Sequence, residues 1–300
     1  MQLDDIISVY ETSKHWYEYP SEMPKLSREV PSLEGCLDGV ELVLLDSYGV
    51  LCRGPEVIHE ALHAIDMLRK KNIPFCIVSN DSMNGWRTVE GKYQKLGFGF
   101  KKSEIVTSLD VTEHYLKNTD SHENIAATCY GQNPIQDDFP KIHNLNATEG
   151  LLHADVKRLM YLVGAGWQKN WQDNLVTSAK KLEEVLIANP DVGAPSGSVF
   201  VPTPGLYMHD FYMRTGFSKK PTLLGKPDAK IFQYALDFMD YKGKPENVLM
   251  VGDSLHTDIL GGLNMGFKTL LVESGIFTGG LAKEYIEKTG IVPHYIAPHV

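Results

Sequence analysis

Four short stretches, far apart in the chain, end or begin with residues whose side chains handle charge and oxygen. "ELVLLD" (41–46) is an apolar run closed by Asp46. A carboxylate there is costly unless it is paired, so Asp46 reads as a candidate nucleophile. "IPFCIVSN" (73–80) closes on Ser79 and Asn80, a hydroxyl and an amide. "NVLMVGDS" (247–254) closes on Gly252, Asp253 and Ser254, and Asp258 follows about one helical turn later. "LLGKPD" (223–228) carries Lys226 at a loop-to-helix entry. If these ends meet, the charges constrain the chemistry. Two carboxylates about 4 Å apart repel by about 4 kcal/mol at an effective dielectric near 20. Asp46, Asp253 and Asp258 therefore need a cation among them, or one must hold a proton. Mg²⁺ suits such a set, because it takes carboxylates and keeps positions for water or phosphate oxygens. Ser79 can donate to a phosphoryl oxygen, and Lys226 can neutralise both nucleophile and phosphate. The backbone after Asp46 turns where Gly49 permits tight geometry, and its N–H groups can point at the same oxygens.

The elements that must position these residues alternate. "ELVLLD", "IPFCIVSN" and "EIVTS" (104–108) read as buried strands. Between them lie "EVIHEALHAIDMLRKKN" (56–72), with apolar residues at helical spacing, and "WRTVEGKYQKLGF" (86–98), a helix stopped by Gly97. Strands that are apolar throughout, alternating with helices, imply an α/β fold: a Rossmann-like parallel sheet covered on both faces. In such sheets ligands bind beyond the carboxyl ends of the strands, where all four stretches put their polar residues. The pattern is less regular from 111 to 220 and returns from 222, with "DAKIFQYALDFMDY", "NVLMVGDS", "HTDILGGLNMG" and "KTLLVES". The expected organisation is a core of residues 1–110 and 221–300 interrupted by an inserted α/β cap domain, 111–220. Residues 1–38 read as a leading extension without a sustained period.

Taken together and in this order, "LLDSYGVL", "IVSN", "GKP" and "VGDSLHTDI" resemble the four motifs of the haloacid dehalogenase superfamily. "SNDS", "ANPD", "PTPG" and the position of the insertion are most similar to its NagD-like class IIA members. The resemblance implies a Mg²⁺-dependent phosphatase or phosphotransferase that works through an aspartyl-phosphate on a small phosphorylated metabolite. It implies Asp46 as nucleophile, and a metal held by Asp46, Asp253 and the Tyr48 carbonyl, with Asp258 supporting it. It implies Ser79 and Lys226 as phosphate ligands and Asn80 as a positioning residue.

Tyr48 departs from that pattern, which places a second aspartate two residues after the first. That aspartate protonates the leaving group and then activates water. Tyrosine, with a pKa near 10, is a poor base at neutral pH. General acid–base help is typically worth about 10²–10⁴ in rate. Its loss should weigh most on alkoxide leaving groups, and least on acyl or aryl phosphates. The competing reading is a catalytically weak or inactive relative that binds phosphorylated ligands or protein partners.

The remaining features carry less. A formal net charge of −9 disfavours binding to nucleic acid. No run of 18 apolar residues and no basic-then-apolar leader appears, so neither a membrane span nor a signal peptide is expected, and a cytoplasmic home follows. Cys36, Cys52, Cys76 and Cys129 show no metal spacing and read as buried thiols. His59 and His63, at i and i+4, lack a third ligand. "GAGW" (164–167) reads as a turn. Asp191, His209 and Asp210 are cap-side or hinge candidates for substrate contact. The cap surface is also where a homodimer contact is expected.

Overall fold

The protein is described here by a computed structural model that covers residues 1–84, 86–197 and 199–300. In chain order the strands are β1 (Arg28–Glu29), β2 (Leu42–Leu45), β3 (Cys52–Arg53), β4 (Glu56–Val57), β5 (Phe75–Ser79), β6 (Ile105–Thr107), β7 (Ile125–Ala127) and β8 (His143–Asn144). They continue with β9 (Arg158–Tyr161), β10 (Glu184–Ile187), β11 (Gly193–Ser196), β12 (Val199–Pro202), β13 (Thr222–Leu223), β14 (Val248–Gly252), β15 (Lys268–Val272) and β16 (Tyr295–Ala297). The helices are α1 (Leu3–Thr12), α2 (His59–Lys70), α3 (Trp86–Lys95), α4 (Ser108–Lys117), α5 (Lys169–Ser178), α6 (Pro204–Thr215), α7 (Ala229–Phe238), α8 (Leu260–Asn264) and α9 (Ala282–Thr289).

Among the described residues the larger sheet has seven strands in the order β1-β16-β15-β14-β2-β5-β6, every pair parallel. This is the α/β, Rossmann-like core expected from the apolar runs. Strands β2, β5 and β14 are buried along their whole length, as covering on both faces requires. Register places the site. Leu45 pairs with Ile77 on one side and Val251 on the other, so the three central strands end within two residues of one another. The Asp46 N–H continues the ladder to Val251 O at 2.9 Å, and the chain then leaves the sheet.

A second, five-stranded parallel sheet runs β13-β10-β9-β7-β8, and β11 and β12 form an antiparallel hairpin. The chain between β6 and β14 builds it. Helix α4, which spans residue 111, packs on β6 and α7 of the first sheet, while Leu223 still pairs in the second.

The segment 1–38 is more ordered than its sequence pattern suggests. Helix α1 buries Ile6, Ile7 and Tyr10, and β1 adds to the larger sheet beside β16. Three apolar anchors in ten residues and a two-residue strand are too short to register as a period, and their partners are over 180 residues away.

Candidate active site

The site forms where β2, β5 and β14 end. Asp46 follows β2, Ser79 and Asn80 close β5, and Asp253 follows β14. Lys226 arrives from the loop between β13 and α7, whose N-terminus is capped by the Asp228 side chain accepting from Lys230 N–H. Lys226 Nζ lies 2.6 Å from Asp46 Oδ1 and 2.7 Å from Asp258 Oδ1, with the lysine and Asp258 side chains only 1% exposed. Asp46, Asp253 and Asp258 bring carboxylate oxygens within 4.8 Å of one another. Residues drawn from distant parts of the chain thus share one cleft.

Each of these groups is held by its surroundings. Asp258 Oδ2 accepts from the N–H groups of Asp253 and Ser254, both at 3.1 Å, which folds the turn after β14 back on itself. Asp253 Oδ2 accepts from Ile276 N–H at 2.9 Å. A Cβ at Gly49 or at Gly275 would overlap the Asp253 carboxylate, and Gly49 also takes φ +84°, so the tight turn after Asp46 needs glycine. Ser79 Oγ accepts from Asp81 N–H at 3.2 Å, leaving its own O–H to donate into the cleft. Asn80 grips the backbone of Lys226 from both sides: its Oδ1 accepts Lys226 N–H at 2.7 Å and its Nδ2 donates to Lys226 O at 3.2 Å.

The electrostatics follow from burial. Burial opposes the charge on Lys226, yet Asp258, Asp46 and Asp191 around it hold the ammonium above its usual range. Burial, then Asp46 and Asp258, push Asp253 well above the usual carboxylate range. Burial also lifts Asp258 to about 7, against the pull of Lys226. Fully ionised, Asp46, Asp253 and Asp258 would carry two negative charges more than the one ammonium balances. A hard divalent cation balances that excess and matches the all-oxygen donors, so the residues fit Mg²⁺.

The cleft above them holds about 260 Å³. Tyr48, Asn84, Asp191 and the β11–β12 hairpin line it, as do Gly164 and Ala165, so the "GAGW" turn reaches the site rim. Asp191 Oδ1 accepts from Asn80 Nδ2 at 2.9 Å, and burial lifts this carboxyl to about 6. His209 is buried beside Ser13 and Tyr17, and Asp210 pairs with Arg214 and Gln172; neither lines this cleft. His59 and His63 are exposed, and no metal-binding group among the described residues includes them. The four cysteines are buried and free.

Lys92 was not legible as a site residue. It stands on α3 with Nζ 3.7 Å from the centroid of the Tyr48 ring, a cation–π contact. Nothing in "VEGKYQK" distinguishes it from a surface lysine; only the packing of α3 beside the β2 turn brings it there.

Comparison with known proteins fits this geometry. Residues 43–143 match the family model of haloacid dehalogenase-like hydrolases, and residues 223–300 match a HAD-hydrolase-like model. The acid sugar phosphatase of Staphylococcus haemolyticus is 30% identical over 80% of this chain and 88% of its own length. The chain belongs to the haloacid dehalogenase-like hydrolases. Among solved folds, a "possible sugar phosphatase" of the superfamily from Cytophaga hutchinsonii superposes with a TM-score of 0.77 at 24% identity, covering 91% of this chain and 98% of that one. NagD from E. coli K-12 superposes with a TM-score of 0.66 at 22% identity, covering 87% and 96%. Among the described residues no helix is long and apolar enough to cross a membrane.

Proposed function

We propose that this hydrolase is a Mg²⁺-dependent phosphatase of small phosphorylated sugars, acting through an aspartyl-phosphate on Asp46. The sugar class comes from the names of the relatives. The observation that carries the mechanism is Lys226 Nζ, buried at 2.6 Å from Asp46 and 2.7 Å from Asp258, at the common end of three strands.

Asp46, Asp253 and the Tyr48 carbonyl would hold the cation. Asp258 backs them from the turn, since one of its oxygens faces Lys226 and the other accepts two backbone N–H groups. Bound there, Mg²⁺ supplies charge neutralisation between carboxylates and phosphate. Asp46 attacks phosphorus through one carboxylate oxygen, and the bond from phosphorus to the leaving oxygen breaks with its electron pair. Lys226 and the Ser79 hydroxyl steady the charge on the phosphoryl oxygens. Water then attacks the aspartyl-phosphate and returns Asp46 with release of phosphate. Asn80 fixes the backbone of Lys226 throughout. The unit carrying the five-stranded sheet and the β11–β12 hairpin serves as a cap that shapes the pocket for the leaving group.

Tyr48 supplies no carboxylic acid at the usual place, so aryl phosphates are the substrates on which turnover should be most visible. The test is release of p-nitrophenol from p-nitrophenyl phosphate with Mg²⁺, with EDTA, and by Asp46→Asn. We expect activity only in the first case. Turnover by Asp46→Asn at the wild-type rate would exclude Asp46 as nucleophile. A wild-type protein that binds phosphate but cleaves nothing with Mg²⁺ present would establish the non-catalytic reading instead.

A further inference from the structure

Residues 1–42 precede the first family match, yet helix α1 is built into the molecule between its two sheets. On the side of the larger sheet, Tyr10 stacks on His256 with ring centroids 4.5 Å apart and planes 4° from parallel. Glu11 Oε1 lies 3.1 Å from His256 Nε2. Asp4 accepts from Tyr285 Oη at 3.0 Å and from Lys288 Nζ at 2.7 Å, both on α9. On the cap side, the Val192 N–H donates to Tyr10 Oη at 3.1 Å. Ser13 Oγ and Tyr17 Oη each lie 3.4 Å from His209 Nε2 of α6, and Trp16 packs on His209 and Tyr212.

Both ends of this bridge adjoin the site. His256 stands in the turn between Asp253 and Asp258. Val192 follows Asp191, whose carboxylate holds Asn80, which in turn holds Lys226 by both backbone groups. Tyr10 is buried, so its hydroxyl is what satisfies the buried Val192 N–H. One phenol therefore rests on the acid-bearing turn and fixes the backbone beside Asp191.

We propose that α1 is a positioning element for the phosphoryl site, with Tyr10 setting, through Val192, Asp191 and Asn80, where Lys226 meets Asp46. The inference rests on the phosphoryl-transfer reading of that site. Reaction rates are sensitive to such placement, since a misplacement of about 1 Å can cost about 10²-fold. Asn80 contacts Lys226 directly, whereas Tyr10 is separated from Asn80 by Val192 and Asp191, so a smaller effect is expected.

The experiment compares Tyr10→Phe with Tyr285→Phe, using p-nitrophenyl phosphate and Mg²⁺ at 25 °C, with the melting temperature of each variant. Tyr10→Phe keeps the ring on His256 and frees the Val192 N–H. Tyr285→Phe loosens α1 at its far end, at Asp4, without touching Val192. The expected result is a fall in kcat/KM of roughly five- to tenfold for Tyr10→Phe, the scale of one neutral hydrogen bond, and wild-type kcat/KM for Tyr285→Phe. A purely structural role would lower both melting temperatures and leave kcat/KM of the folded protein unchanged in both. That outcome, or an equal loss in the two variants, overturns the proposal. Asp46→Asn separates the two levels: its retention of turnover defeats the phosphoryl-transfer reading itself, whereas its loss of turnover beside a fully active Tyr10→Phe defeats only the positioning role.

Discussion

Replacing Lys226 by methionine removes the ammonium and keeps most of the buried stem volume. Two carboxylate oxygens lie 2.6 and 2.7 Å from Nζ. At an effective dielectric near 20, each such contact is worth about 6 kcal/mol of attraction before desolvation is counted. Removing one partner of a buried pair costs about 3–5 kcal/mol net, because the other charge is left uncompensated. The orphaned acids can escape by taking up protons. Asp258 already stands at about 7 with Lys226 pulling it down, so without the lysine it moves higher. Across the interval between the two values the folded variant binds more protons than the folded wild type. Its relative stability therefore improves as pH falls, by about 1.4 kcal/mol per pH unit while one proton is taken up. Urea unfolding in EDTA should show a deficit of about 3–5 kcal/mol at pH 8 and at least about 1 kcal/mol less at pH 6. The same variant should lose roughly 10²–10³ in kcat with p-nitrophenyl phosphate and Mg²⁺. An equal stability deficit at both pH values, or wild-type stability at pH 8, would refute the charge argument.

Two further outcomes follow from the same geometry. Tyr48→Asp should raise turnover of alkyl phosphates more than of aryl phosphates, although the new carboxylate will face Lys92, now 3.7 Å from the ring centroid; parallel rate–pH profiles on both substrate classes, scaled equally, would remove the leaving-group argument. Burial holds His209 down to about 3, whereas the unfolded chain takes the proton near pH 6.5. Its contribution to stability is therefore full above pH 6.5 and lost as pH falls toward 3, about 2 kcal/mol of it by pH 5. His209→Gln should flatten that part of the stability–pH curve, and an unchanged slope would show that other groups dominate acid unfolding.

The sequence by itself pointed to the edge that carries the candidate site. Apolar runs such as "LVLL", "FCIV" and "VLMV", alternating with helices, read as buried parallel strands, and such strands carry their ligands beyond their carboxyl ends; the pairing of β2 with β5 and β14 then brings Asp46, Ser79 and Asp253 together. Lys226 was legible as a lysine in the short loop before a helix, α7, where "GKP" resembles the family motif. Tertiary structure alone decided what surrounds these groups. The Asn80–Asp191 bond spans 111 positions, the Tyr10–Val192 bond 182, and Lys92 reaches Tyr48 only through the packing of α3. Periodicity reports how a segment meets water and its immediate neighbours. It carries no record of which distant side chain will fill the space beside it, and that space is where α1 and Tyr48 acquire their surroundings.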